Sequence, residues 1–319
     1  MIEMIDFSKC ELSSRNLEYG GRAGEKKGII YNNNFWFIKF PKNTAGMDKV
    51  KGLSYVTSPL SEFIGSNIYR ILGYDVHQTI LGICFDGKRN KVVCACKDFI
   101  TDDKNELLIP YTALRNDTNP NIMNFHDDES SLSASNINEI IYQLNHNTVI
   151  SNTDNAKERF WDVVLIDVLI NNNDRNEDNW GVIKYKDENK YLLSPIYDCG
   201  NCFYGKTSEE RIAEILADET KLLSSALNGI TAYEDDDEKR IRNEDIVDIK
   251  NSDLSSAIER VVKKIDEKMD EIINFINCIP SSFNNVPVMS DLRKKYYIET
   301  FKIRFENILK KALLSIKEK

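Results

Sequence analysis

Apolar and polar residues alternate along the first hundred residues in the manner of β-strands. The run at 35–40 places Lys39 on an otherwise aromatic face of a strand, and further strands are predicted at 76–85 and 91–99, joined by an Asp-Gly-Lys turn. Apolar residues at helical spacing, preceded by Ser58 as a candidate N-cap, predict one helix over 58–72. This pattern indicates a small, mainly antiparallel β-lobe spanning residues 1–100.

From residue 101 onward the apolar spacing becomes helical, and the second domain is predicted to be an α-rich lobe over 101–319. Helices are expected at 137–144, 156–170, 208–227, 252–279 and 290–319, with two short strands at 180–185 and 191–197. The stretch 116–138 is dense in Asn, Asp and Ser, which is typical of a surface insertion. The predicted fold class is therefore α+β with two lobes.

Composition narrows the class of protein. The 319 residues are 41% hydrophobic and 29% charged, as in globular proteins, and no apolar run approaches the roughly 20 residues of a membrane span. A net charge of −9 argues against nonspecific nucleic-acid binding, which needs a basic surface. The N-terminus lacks the basic-then-apolar order of a secretory signal. We expect a cytoplasmic protein without membrane contact, while export without a visible signal stays open.

The cysteines offer one candidate metal site, whereas the histidines offer none. An odd number of cysteines, seven, scattered over the chain indicates reduced thiols rather than a disulfide framework. Two close pairs, Cys94 with Cys96 and Cys199 with Cys202, would form a four-thiolate zinc site only if the fold joined them. Small buried thiols are the simpler interpretation. The three histidines show no ligand spacing and are interpreted as structural or surface residues.

The segment 160–204 carries the most informative polar residues. An apolar helix ends in three asparagines, Asp174 and Asn179 follow in a turn-prone stretch, and two short strands then lead to Asp198. A carboxylate can orient or deprotonate a hydroxyl, and an amide with a second carboxylate supplies hard oxygen ligands for Mg²⁺ on a nucleotide. An ordinary polar loop is the alternative for the Asp174–Asn179 spacing alone. The strand pair ending in Asp198 favours a phosphotransfer site.

Three features of the first lobe fit the same chemistry. A glycine-rich stretch with Gly20, Gly21 and Gly24 precedes Lys26 and suits a loop whose amides approach phosphates, although glycine-rich hairpins are common. Lys39 on an aromatic face needs an anion unless it reaches water at the strand end. Glu62, in the first turn of the predicted helix, could pair with that lysine or with the helix dipole.

These residues resemble a known family. The sequences N-N-x-D-R-x-x-x-N-W-G and S-P-I-Y-D-C-G are similar to the catalytic and metal segments of HipA-like kinases, and among them to the cell-translocating kinase A group. The resemblance spans residues 5–205 and implies a protein-kinase-like fold with Asp174 as catalytic aspartate and Asn179 and Asp198 as Mg²⁺ ligands. It also implies that Lys97 and Phe99, at the hinge, hold adenine through their backbones. One position departs from many relatives, because Asn176 stands where they carry histidine.

The resemblance implies an ATP- and Mg²⁺-dependent protein kinase that phosphorylates Ser or Thr, with Tyr as another possible acceptor. Some relatives inactivate themselves by phosphorylating their glycine loop, and the register places Tyr19 near that position. The protein substrate is not identifiable from the sequence, and an antitoxin-like protein is a candidate partner. Two alternatives stay open: a kinase for small molecules or phosphoinositides, and a nonenzymatic nucleotide-binding module.

Overall fold

The N-terminal part of the chain forms one curled sheet with a helix packed on it. The computed structural model describes residues 2–17, 26–41, 58–116 and 135–318. Its first strands are β1 (Ile5–Asp6), β2 (Glu11–Leu12), β3 (Lys26–Tyr31), β4 (Asn34–Lys39), β5 (Thr79–Phe85) and β6 (Asn90–Lys97). They lie in the order β1-β5-β6-β4-β3-β2, and only the β1–β5 pair is parallel. Helix α1 (Ser58–Ile71) packs against β5 and β6.

Side-chain alternation divides this sheet into two faces. Trp36 and Ile38 are buried on the face away from α1, in a small cluster that also contains Phe7 and Cys84. Lys39 lies on the other face, directly opposite Cys94 of β6. That face packs against the apolar side of α1 in the main core. The predicted strand periodicity is therefore confirmed, and it directs Lys39 towards α1.

The C-terminal part is mainly helical, as predicted. Its helices are α2 (Tyr111–Asn116), α3 (Ile137–His146), α4 (Ala156–Ile170), α5 (Glu209–Leu216), α6 (Glu219–Leu227), α7 (Ser252–Asn277), α8 (Asp291–Arg304) and α9 (Lys311–Lys317). Helix α4 is buried on nearly all sides, packs against α7, and ends where Asn171 adopts a left-handed conformation. The central helix thus delivers the chain directly into the segment that contains Asp174.

Short sheets flank these helices. They are built from β7 (Glu106–Pro110), β8 (Ser135–Asn136), β9 (Gly181–Tyr185), β10 (Lys190–Leu193), β11 (Ile230–Glu234), β12 (Arg240–Arg242), β13 (Ser282–Phe283) and β14 (Val286–Pro287). One sheet has the order β10-β9-β7, a second β12-β11-β8, and β13 pairs with β14. The four consecutive acidic residues 235–238 form the turn between β11 and β12, and within the described ranges none of them belongs to a group of potential metal ligands. Among the described residues, no helix is long and apolar enough to cross a membrane.

Two predicted helices differ from the structure. The helix expected at 208–227 is divided into α5 and α6, because the Asp218 side chain accepts a hydrogen bond from the Lys221 N–H at 3.1 Å and caps a new helix. The helix expected at 290–319 contains a π-helical segment, Phe305–Lys310, between α8 and α9. Neither difference moves the segments that carry the candidate site.

Candidate active site

Three charged side chains from separate parts of the chain meet where β4, α1 and the segment after β10 come together. The Lys39 Nζ lies 2.7 Å from Glu62 Oε2 and 2.7 Å from Asp198 Oδ1. Burial alone would lower the pKa of Lys39, but the Asp198 and Glu62 carboxylates raise it well above its ordinary value. The lysine is thus held as a cation at the edge of the core, and it does not reach past the strand end to water.

Glu62 is fully buried and is held by three partners. Its Oε2 accepts from Lys39, while its Oε1 accepts from the Cys199 N–H at 3.1 Å and from His77 Nε2 at 2.9 Å. Burial alone would raise the pKa of Glu62, but Lys39 and the hydrogen bond from His77 hold it well below its ordinary value. Ser66 Oγ lies 3.1 Å from the same His77 nitrogen. The carboxylate therefore links β4 to the residue that follows Asp198.

The backbone around Asp198 is unusual. Asp198 has a φ of 57°, a left-handed conformation that non-glycine residues seldom adopt away from turns and functional sites. The preceding strand is shorter than predicted: β10 ends at Leu193, and the chain continues through a parallel bridge between Val76 and Ile196. A Cβ on Gly200 would lie 3.2 Å from Glu62 Oε2. The chain therefore passes very close to the carboxylates here, and the Asp198 side chain stays 34% exposed.

The segment after α4 places Asp174 and Asn179 together. Asn179 Nδ2 donates to the Asp174 carbonyl oxygen at 2.7 Å, which fixes the orientation of the amide and leaves Asn179 Oδ1 as its ligand atom. Asn176 Nδ2 lies 3.4 Å from Asp174 Oδ1. The Asn176 amide thus contacts the candidate catalytic carboxylate. Oxygen donors of this kind, with Asp198, fit a hard divalent cation such as Mg²⁺.

Arg175 joins the two halves of the site, and it is a functional residue that was missed in the sequence. Its guanidinium is 2% exposed and donates from Nε to Asp167 Oδ2 at 2.9 Å. Its Nη1 donates to the carbonyl oxygen of Asn179 at 3.2 Å and also to that of Tyr197. Asp167 lies inside the apolar run of α4, and a buried carboxylate requires a partner. This requirement was the feature of the sequence that could have pointed to Arg175. Arg175 therefore connects the Asp174 segment to the Asp198 segment through main-chain groups.

The remaining predicted residues lie around this centre. Lys26 pairs directly opposite Lys39 across the β3–β4 hairpin, and burial together with the Lys39 charge lowers the pKa of Lys26. The Phe99 ring lies 5.5 Å from the Tyr197 ring, and within the described ranges the Phe99 N–H has no hydrogen-bond partner. The Lys97 N–H instead donates to the Gln78 carbonyl at 2.8 Å. The predicted loop residues Gly20, Gly21 and Gly24, and Tyr19, lie outside the described residues.

The four-thiolate zinc interpretation receives no support. The described cysteines are all free thiols, and the four considered do not form a ligand group with one another. The group of potential ligands found in the described part of the chain contains Glu62, His77 and Cys96 instead. The histidines were interpreted as structural or surface residues, and His77 is buried, in agreement with the first interpretation. Its contact with Glu62 could not be inferred from the spacing of residues in the sequence.

The chain is similar to a known protein kinase in both sequence and structure. The chain is 30% identical over 294 residues to the serine/threonine-protein kinase CtkA of Helicobacter pylori strain J99, covering 92% of this chain and 82% of the relative. The crystal structure of the H. pylori proinflammatory kinase CtkA matches 99% of both chains with a TM-score of 0.81 at 27% identity. The predicted kinase-like fold is thereby confirmed.

A more distant structure shares only the fold. A chain of the Shewanella oneidensis MR-1 complex of HipA, HipB and operator DNA matches 96% of this chain and 68% of its own length, with a TM-score of 0.50 at 14% identity. A scan against models of protein families finds no match. The predicted likeness to HipA-like proteins and to the cell-translocating kinase A group is confirmed by these relatives.

Proposed function

Since this chain belongs to the family of serine/threonine-protein kinases that includes CtkA, we propose that it transfers the γ-phosphoryl group of ATP to a Ser or Thr hydroxyl of a protein. The observation that carries this proposal is the meeting of Lys39, Glu62 and Asp198 at 2.7 Å contacts, beside the segment that holds Asp174 and Asn179. A lysine held by a helix glutamate next to an acidic metal ligand is the arrangement that phosphoryl transfer by kinases requires.

Lys39 binds and orients the α- and β-phosphates, and Glu62 and His77 keep its ammonium in place. Lys26, opposite Lys39, adds a second positive charge, and the loop with Gly20, Gly21 and Gly24 covers the phosphates. The partly exposed Asp198 carboxylate and Asn179 Oδ1 would hold Mg²⁺, which would supply charge neutralisation on the nucleotide. Backbone groups at Lys97 and Phe99 hold adenine, with the Phe99 N–H available as a donor.

Asp174 acts on the acceptor. The acceptor oxygen forms a bond to the γ-phosphorus as the bond to the β,γ-bridging oxygen breaks, and Asp174 orients the hydroxyl and accepts its proton. Positioning and charge stabilisation supply most of the rate enhancement, because the protein makes no covalent bond to the phosphoryl group. The contact from Asn176 to Asp174 Oδ1 favours one orientation of this carboxylate.

Autophosphorylation and an antitoxin-like protein partner are further parts of the proposal. Both rest on the resemblance to HipA-like kinases, and the candidate acceptors are Tyr19, Ser13 and Ser14. Intact-mass analysis after incubation with Mg²⁺ and ATP tests the first: no added phosphate on these residues contradicts it. Co-purification of a tagged chain with proteins from its own cells tests the second.

The direct test compares wild type with Asp174→Ala, using Asp178→Ala as the matched control. Asp178 is an exposed aspartate of the same segment whose side chain accepts from Thr112. We expect Asp174→Ala to lower phosphotransfer by about 10²–10⁴-fold and to leave ATP affinity nearly unchanged, since general-base contributions are of this size. Asp178→Ala should keep near wild-type turnover. Equal turnover by Asp174→Ala would overturn the assignment.

A further inference from the structure

A thiol, an imidazole and a carboxylate converge behind the Lys39–Glu62 ion pair. Ligand atoms of Glu62, His77 and Cys96 lie within 4.8 Å of one another, and all three residues are buried. Glu62 comes from α1, His77 from the segment that leads into β5, and Cys96 from β6. The cluster therefore sits where helix and sheet pack, and it is distinct in composition from the oxygen ligands Asn179 and Asp198.

This set of donors matches a thiophilic divalent ion rather than Mg²⁺. Sulfur, nitrogen and oxygen ligands together are those of Zn²⁺, whereas Mg²⁺ selects oxygen. Tetrahedral Zn²⁺, with bonds of about 2.0–2.3 Å, separates its ligand atoms by roughly 3.5 Å. His77 Nε2 and Glu62 Oε1, now 2.9 Å apart, need to separate by about half an ångström, whereas a pair at the outer limit of 4.8 Å needs to approach by about an ångström. Three protein ligands would leave a fourth position for water or another small ligand.

The ion would reach Glu62 through Oε1, which lies 2.9 Å from His77 Nε2, whereas Lys39 contacts Oε2. Lys39 contacts Asp198 Oδ1 at 2.7 Å as well, so its ammonium keeps an acidic partner when Glu62 turns to the metal. The His77 Nδ1 atom is buried without a hydrogen-bond partner in the described structure. When the ring proton moves from Nε2 to Nδ1, Nε2 gives up its hydrogen bond to Glu62 and becomes a ligand atom, while Nδ1 has no existing bond to lose. The Cys96 thiol releases one proton as its sulfur binds the ion.

We propose that Glu62, His77 and Cys96 form an inhibitory site for Zn²⁺ or a similar thiophilic divalent cation. The ion competes with Lys39 for the negative charge of Glu62, so that the lysine is held mainly by Asp198 and loses the partner that orients it for the nucleotide phosphates. The inhibitory consequence rests on the proposed kinase function. The binding of the metal does not, and the two are tested separately.

Cobalt(II) is the probe for binding, because a cobalt–thiolate bond produces a charge-transfer absorption that oxygen and nitrogen ligands alone do not give. The titration uses nucleotide-free protein in a Cys278→Ser background, since Cys278 is an exposed thiol. Cys96→Ala is compared with Cys84→Ala, a buried cysteine of the neighbouring strand whose side chain lies in the cluster on the opposite face of the sheet. Thermal unfolding confirms that each variant is folded.

The expected result is a thiolate band in the parent and in Cys84→Ala that is absent in Cys96→Ala, with Zn²⁺ affinity reduced by at least about tenfold. Absence of the band from the parent, or its retention in Cys96→Ala, overturns the site. In the kinase assay, buffered free Zn²⁺ should inhibit the parent and Cys84→Ala at a concentration that leaves Cys96→Ala active. Metal binding without this difference in inhibition refutes the proposal that the site is inhibitory. Absence of any kinase activity refutes the proposed function. In that case the cobalt result still decides whether the metal site exists.

Discussion

Removing the Arg175 guanidinium should destabilise the protein and separate the two halves of the active site. Arg175→Met keeps most of the length and the apolar stem of the side chain but none of its donors. The change removes the bonds to Asp167, to the Asn179 carbonyl and to the Tyr197 carbonyl. Because Arg175 is 2% exposed, water cannot readily replace these bonds.

The expected loss in the free energy of unfolding follows from the Asp167 charge that Arg175→Met leaves without its partner. Breaking a buried ion pair by removing one partner costs about 3–5 kcal/mol, largely because the remaining charge stays desolvated. Asp167 Oδ1 would still accept from the Tyr69 hydroxyl at 2.8 Å and from Asn172 Nδ2 at 3.0 Å. We therefore expect the loss near the lower end, about 3 kcal/mol. A domain with the usual stability of about 5–15 kcal/mol should still fold.

The assay is urea unfolding at neutral pH, followed by phosphotransfer and ATP binding for the folded variants. Arg175→Met combined with Asp167→Asn should recover part of the lost free energy of unfolding, because no buried charge then lacks a partner. The control is Arg211→Met, which breaks the exposed pair with Glu214 and should change stability very little. A loss in Arg175→Met as small as in Arg211→Met, or a double variant worse than the sum of the single changes, would refute the reasoning.

Two further predictions concern α1 and its partners. Gly65→Ala should lower the free energy of unfolding by about 1–3 kcal/mol, because the added Cβ would lie 2.7 Å from Cys199 Cβ in the segment after Asp198; a higher melting temperature would contradict this. Lys39→Met should move acid unfolding, followed by intrinsic fluorescence, to higher pH. The pKa of Glu62 is lower in the folded state than its ordinary value of 4.5. The Glu62 carboxylate therefore stabilises the protein at pH values above 4.5, and this contribution is lost as the pH falls towards the lowered pKa. Without Lys39 the pKa of Glu62 is lowered less, so the variant should unfold at a higher pH. An unchanged midpoint of acid unfolding would argue against the Lys39–Glu62 ion pair.

The parts of the fold that could be predicted are those where local pattern and tertiary environment agree. Helix α4 is found at the predicted residues 156–170, because its apolar run is long and a left-handed Asn171 stops it. Strand alternation placed Lys39 on the face that meets α1, and the structure brings Lys39 to Glu62 and Asp198. The chemical roles of these residues stay predictions.

The other features depend on contacts between residues far apart in the chain. His77 Nε2 reaches Glu62 only because α1 packs over the start of β5, and no spacing in the sequence shows this. Arg175 lies in a polar stretch that resembles an exposed loop, yet it is buried against Asp167 and two carbonyl groups. The break at Asp218 was missed because the apolar spacing continues across it, while its side chain starts a new helix.

Phosphoamino-acid analysis after incubation with Mg²⁺ and γ-labelled ATP decides whether the protein is a Ser/Thr kinase. Wild type and Asp198→Asn are each supplied with a protein acceptor such as casein and, separately, with phosphoinositide and aminoglycoside acceptors. We expect label on serine or threonine of a protein, formed by the wild type and lost in Asp198→Asn, because Asp198 pairs with Lys39 and is the proposed Mg²⁺ ligand. Label confined to a lipid or small molecule, or equal labelling by Asp198→Asn, would contradict it.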